Sequence, residues 1–350
     1  MKRLTYLFAF FFPLGLNAQT FIENGVYYSI KLWTDNVGVA PSNSTSFYKG
    51  DIVIPEIVEY DNKTYTVVSI DNDAFTGSEG LTSVTLPQTI TTIGDRSFSG
   101  CLGLTNFVIP GNVTSIGYDA FYGSKNIKEI TIPKSVTIIC SRAFSGLEKL
   151  VLEDGDEPLK LVTLYNINDN TPFHICPLES VYLGRNLEYT SEYSPFRDNA
   201  KLMSLIIGEG VTKIGSYLFK DCNGLSDVVL GANVMAIGGQ AFMNCNALKN
   251  VLCYAINVPT TYVGAFSNSS INKATLSVPK VSIEQYRTTK PWSDFGNIVS
   301  LDGESTIRTI RYEDINNEYY SLNGQTITKP HRGIVIVKSS NGITKKTIVK

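Results

Sequence analysis

Phenylalanine recurs in this chain at a fixed interval. Phe75, Phe98, Phe121 and Phe144 are each 23 residues apart, Phe196, Phe219 and Phe242 repeat the interval, and Phe266 follows after 24. Other apolar positions keep step: Leu81, Leu104 and Ile127; Val84, Phe107 and Ile130; Leu86, Ile109 and Ile132; Ile93, Ile116 and Ile139. In the second block the same columns hold Leu202, Leu225 and Leu248, then Leu205, Val228 and Val251. A unit of this length cannot bury its own apolar side, so such a repeat is stable only where each unit covers the next. The chain is therefore expected to be a stack of coils around one continuous core.

Within each unit the alternation in "LTSVTLP", "LTNFVIP" and "IKEITIP" turns Leu, Val and Leu/Ile inward and the residues between them outward, as in a short strand. Pro87, Pro110 and Pro133 end these strands where no further N–H is wanted. A fixed period in the range of about 20–29 residues, carrying an L-x-x-V-x-L core, marks a leucine-rich repeat solenoid with short parallel strands. The pattern "AF…C…L..V.IP..V..IG" resembles the BspA-type leucine-rich repeat of bacterial surface and secreted proteins, and it runs from Ile70 to about Leu301. Residues 24–75 resemble the strand-rich N-terminal cap of such proteins. Residues 276–301 resemble their closing turn, with Tyr286, Trp292 and Phe295 covering the end of the core. The expected organisation is a β cap over 19–69 and a solenoid over 70–301. The register breaks once, at about 153–177, where Phe144 and Phe196 stand 52 residues apart. That break reads as an inserted loop with an irregular coil, dividing the solenoid into halves at 70–152 and 178–301.

The two ends have their own character. Residues 1–18 carry Lys2 and Arg3, an apolar run from Leu4 to Leu16 and a small residue, Ala18, before Gln19, as a cleaved export signal does. The run is too short for a membrane-spanning helix, and no later segment is apolar over the ~20 residues a span needs. Residues 302–350 alternate strand-like runs with Asn323-Gly324 and Asn341-Gly342 turns, which makes a small β module. This tail resembles the C-terminal sorting domain of type IX secretion substrates, which implies passage across an outer membrane. The alternative is a terminal β module without a sorting role. Together the resemblances imply a protein secreted by, or held on the surface of, a Gram-negative bacterium.

Chemistry is sparse. With 30 basic and 32 acidic residues the chain has no field that would gather nucleic acid or an anionic membrane. No phosphate loop, dinucleotide fingerprint or nucleophile elbow is present. Cys101, Cys222 and Cys245 each follow an anchor Phe by three residues, so they read as small buried side chains, although a bridge between Cys222 and Cys245 in neighbouring coils is conceivable. Cys140 replaces the glycine of Gly94 and Gly117. His174 and Cys176 are the one place where an imidazole and a thiol stand together, and they carry a remote enzymatic alternative. The acidic stretches Asp71–Asp73 and Glu153–Glu157 lack the ligand order of a calcium loop and read as solvated turns. No cofactor and no metal site is assigned.

What remains is the outward side of the strands. One residue past each central apolar position stand Thr85, Val108, Thr131, Val151, Tyr182, Ile206, Val229, Leu252 and Thr275, which should align as a ladder. Its second half, Tyr182, Ile206, Val229 and Leu252, is as apolar as the core, and an apolar stripe of that length marks an interaction surface unless the loop around 154–177 or the tail covers it. The sequence thus reads as an exported, non-enzymatic binding protein. The family resemblance implies adhesion to a protein or matrix partner; glycan capture at the cell surface is the alternative.

Overall fold

A computed structural model describes residues 19–42, 47–163, 171–173 and 175–301, together with the backbone of four strands between 318 and 349. The export signal expected at 1–18 lies outside the described residues. The fold is the parallel solenoid read from the period. One side of the coils forms an eight-stranded parallel sheet: Glu129–Ile132, Lys149–Leu152, Ser180–Arg185, Ser204–Gly210, Asp227–Leu230, Asn250–Cys253, Thr275–Val278 and Asn297–Ser300. The other side carries shorter strands, among them Thr92–Ile93, Ser115–Ile116, Ile138–Cys140 and Leu159–Val162, each pairing in parallel with the next.

The Leu, Val and Ile columns are buried between these sides. Along one edge of the core, nine phenylalanine rings, Phe75 to Phe266, stack at centroid spacings of 5.0 to 5.7 Å with neighbouring planes within 18° of parallel. Offset-stacked pairs of this kind contribute about 0.5–1.5 kcal/mol beyond burial of the ring area. One of the nine is Phe173, set 5.6 Å from Phe144 and 5.7 Å from Phe196. The expected division into halves is therefore corrected. The segment 153–177 is an elongated coil, 29 residues from Phe144 to Phe173, and the core runs through it.

The position three residues after each Phe has a polar task as well. The Cys101, Cys222 and Cys245 thiols donate to the carbonyls of Phe75, Phe196 and Phe219, each in the preceding coil, at 3.1, 3.1 and 3.2 Å. Ser124 and Ser269 make the same bond to Phe98 and Phe242. A turn carbonyl buried without a strand partner needs a donor, and a small side chain bearing one fits between stacked coils. Close stacking also explains Gly117: a Cβ there would stand 2.6 Å from the backbone nitrogen of Asp95 in the coil before it.

The cap and the first coil share one segment. Gly50–Val53 pairs in parallel with Leu81–Thr85, and Tyr48 packs at 4.8 Å on Phe75, so the stack begins before residue 70. Lys63–Ile70 closes an antiparallel hairpin with Ile57–Tyr60 and then pairs in parallel with Thr92–Ile93. At the far end a short helix, Ile283–Thr288, brings Tyr286 against Trp292, and both side chains are fully buried over Phe266 and its coil. The indole Nε1 donates to the Pro259 carbonyl at 3.0 Å. In the tail, strands Glu318–Tyr320, Thr326–Ile327, Gly333–Lys338 and Thr344–Val349 form an antiparallel sheet; the Asn-Gly pairs expected to turn between them lie outside the described residues. Among the described residues no helix is long and apolar enough to cross a membrane.

Candidate partner-binding face

Strand register places the ladder residue by residue. Thr131 pairs with Val151, Val151 with Tyr182, Tyr182 with Ile206, Ile206 with Val229 and Val229 with Leu252. Each lies between two core residues, as Val151 does between Leu150 and Leu152, so it faces away from the core. Beyond Leu252 the column continues through Ser277 to Val299. Thr275, expected there, stands opposite Asn250 instead. The step from Leu252 to Ser277 is 25 residues, lengthened near the 3-10 turn Ser270–Lys273, so counting by 23 stops two residues short.

The two ends of the face differ in exposure. Val53 and Val108 are 70% and 72% exposed, while Ile206, Val229 and Leu252 are half-buried. Tyr182 departs from the expected exposed stripe: only 2% of it is exposed, and with Val151 it forms a small apolar cluster separate from the main core, against which Ile206, Val229 and Tyr254 pack. Its ring extends toward the following strand above Gly208, where a Cβ would come within 2.5 Å of the phenolic oxygen. The Tyr182 hydroxyl donates to the Asp154 carboxylate, with both oxygens at 2.7 Å. Burial raises the Asp154 carboxyl above its ordinary range, and the Tyr182 bond opposes that rise. As placed, Tyr182 is an internal strut of the face and offers no contact area.

Asp154, Gly208 and Tyr254 were not singled out from the sequence. The available signal was the column two residues past the ladder, where Pro87, Pro110 and Pro133 give way to Gly184, Gly208 and Gly231 and leave room for a ring. The face also holds Asp227, which accepts from Asn250 at 2.8 Å, and Lys149, 2.9 Å from Glu129.

The enzymatic alternative loses its nucleophile. Cys176 follows Phe173 by three residues, in the buried column of Cys101 and Cys222; it is 4% exposed, and burial pushes its thiol up to about 12. A thiol held protonated and enclosed is not a nucleophile near neutral pH. His174 lies outside the described residues. All six cysteines are free thiols, so the conceivable Cys222–Cys245 bridge is not formed. The acidic stretches are engaged within the fold. Asp71 accepts from Ser29, Lys31 and Ser69, Asp73 pairs with Arg96, and Glu153 accepts from the Lys134 N–H.

The elongated coil also buries a cation. Arg185, with no exposed surface, donates to the carbonyls of Lys134 and Val136 at 2.8 Å and of Pro133 at 2.9 Å, reaching back past the coil between. Its Nε has no acceptor among the described residues, and burial pushes the guanidinium down to about 10.

The BspA type leucine rich repeat region matches this chain in six copies over residues 56–154 and 165–288, so the chain belongs to that family. The solved structures it resembles include a leucine-rich repeat protein from Bacteroides ovatus, at 19% identity and a TM-score of 0.38 over 81% of this chain and 100% of that one. Another is the leucine rich repeat protein of T. pallidum, at 23% identity and a TM-score of 0.39 over 63% and 86% of the two chains. A third is a leucine rich cell surface protein from Faecalibacterium prausnitzii, at 18% identity and a TM-score of 0.30 over 84% and 98%. These likenesses are distant, and the family assignment rests on the repeat match. None of the curated proteins matches the chain.

Proposed function

We propose that this chain is an exported, non-enzymatic binding protein that engages an extracellular protein through the outward ladder of its parallel sheet. The observation that carries the reading is the run Ile206, Val229 and Leu252, three half-buried apolar side chains in register on the side of the sheet away from the core. Apolar, β-branched contact area with few exposed aromatics suits a protein partner better than a sugar, which is gripped by aromatic faces. Export is supported by the signal-like residues 1–18 and by the likeness of the tail to a sorting domain. Membership in a repeat family does not itself name a partner, since solenoids serve many.

The test replaces Ile206 and Val229 together by Asp in the full chain, followed by capture of extracellular matrix and cell-surface proteins. Loss of capture with an unfolding midpoint close to that of the parent is the expected result. A double variant that folds and captures as before overturns the reading.

A further inference from the structure

The middle of the ladder carries a burial that the sheet itself does not supply. Leu150 and Leu152 are fully enclosed in the core, so Val151 between them points to the opposite side, where a side chain meets solvent unless something lies over it. Val53 and Val108 show what an uncovered ladder valine looks like. Val151 has no exposed surface at all, and Tyr182 beside it has almost none. Asp154 meets only the hydroxyl end of the Tyr182 ring.

We propose that the ladder is occupied by the chain's own C-terminal segment, beginning at Asp302 and running from Val299 toward Val151. The point of departure fits. Asn297–Ser300 is the last strand of the eight-stranded sheet, Val299 stands in the ladder column, and Leu301 follows, so the segment starts at the edge of the face it would cover. Length fits as well. Val151 lies six strands away from Val299, a distance of roughly 29 Å at the ~4.8 Å strand spacing, which about nine extended residues span. The segment has the matching chemistry: Ile307, Ile310, Tyr312 and Ile315 for the apolar ladder, and Arg308 and Arg311 for a face that holds Asp154 and Asp227. A partner for this ladder then competes with a resident strand of the same chain. The inference deepens the binding reading, but occupancy can be measured with no partner present.

The test uses the full chain and a tyrosine-nitrating reagent, with the modified positions mapped by mass spectrometry. Tyr262, 56% exposed, is the internal standard. In the parent, Tyr182 is expected to stay unmodified while Tyr262 reacts. In Ile307→Asp/Ile310→Asp, a change outside the solenoid core, Tyr182 nitration is expected to rise to the level of Tyr262. Continued protection of Tyr182 in that variant overturns the proposal. A second measurement places Cys at Val229 and, in turn, at each position from 307 to 312, under oxidising conditions. A disulfide within one chain is expected for at least one pair, with none when the first Cys replaces Val108. Disulfide-linked dimers through position 229 give the face to a second copy and overturn the proposal, as does the absence of any cross-link.

Discussion

The coil from Phe98 to Phe121 and the coil from Phe144 to Phe173 do the same task with different means. The first has 23 residues, and its interior is the set of repeat columns alone: Phe98, Leu104, Phe107, Ile109, Val113 and Ile116, all buried. The second has 29 residues and keeps its ring in the stack and Leu150, Leu152 and Leu161 in the core, yet it is shored up by polar groups. Arg185 crosses it to reach three carbonyls of the coil before, and Asp154 in its loop holds the Tyr182 hydroxyl. A regular coil is stabilised by neighbours that repeat it. An elongated one leaves backbone groups and space its neighbours cannot match, and side chains with fixed hydrogen-bond geometry fill the difference. The unusual buried chemistry of this molecule is gathered around its one irregular coil for that reason.

The comparison breaks most sharply at the phenylalanine column. Phe121→Ala removes a fully enclosed ring from a regular coil and is expected to cost about 3–5 kcal/mol, the range for deleting a buried aromatic. If the core truly runs through the elongated coil, Phe173→Ala costs the same within about 1 kcal/mol and leaves a single cooperative transition. Denaturant unfolding of both variants decides it. A small loss for Phe173→Ala, or two separate transitions, would return the solenoid to two halves.

Counting residues found what repeats and missed what the repeat bends around. Phe98, Leu104 and Ile116 were legible because each coil constrains the same position in the next. Phe173 was not, because the spacing before it is 29 and a period of 23 points elsewhere. Cys176 went with it: cut off from its column, it looked like a partner for His174 when it belongs to the series of Cys101 and Cys222. On the face, Thr131 to Leu252 fell where alternation put them, and Thr275 failed at the first step longer than 23. The burial of Tyr182 could not be read from its own strand. It depends on Asp154, 28 residues earlier, on the absence of a side chain at Gly208 and on whatever lies above the ring.

A middle-sized effect is expected at Arg185. Replacing it with Met keeps much of the volume and removes a cation that is costly to bury, but it leaves the carbonyls of Pro133, Lys134 and Val136 without that donor. Losing hydrogen bonds from a charged donor in the interior outweighs the relief, so Arg185→Met is expected to destabilise by about 2–3 kcal/mol. Thermal unfolding, with hydrogen exchange at residues 133–138, locates the damage. A variant as stable as the parent would show that packing alone suffices in the elongated coil, as it does in the regular ones.

The smallest effect carries the most chemical detail. Tyr182→Phe keeps the ring in the Val151 cluster and deletes one hydrogen bond to Asp154, a loss of about 1 kcal/mol at pH 7. The bond favours the charged carboxylate, so its removal lets burial raise the Asp154 carboxyl further. An acid whose folded pKa stands above its unfolded value takes up a proton in the native state first as pH falls. Once Asp154 is protonated in both proteins, the charge-assisted part of the bond is gone from each. The penalty of Tyr182→Phe should therefore be fully present above the folded pKa of Asp154 and shrink as pH falls through it toward the ordinary aspartate range. Paired urea titrations of parent and variant at pH 7 and at stepwise lower pH measure this difference directly, with the many other carboxylates cancelling between the two proteins. A penalty that stays constant with pH would mean that the Tyr182 hydroxyl is held by something other than the Asp154 charge, and the strut assigned to the elongated coil would have to be sought in the ring's packing alone.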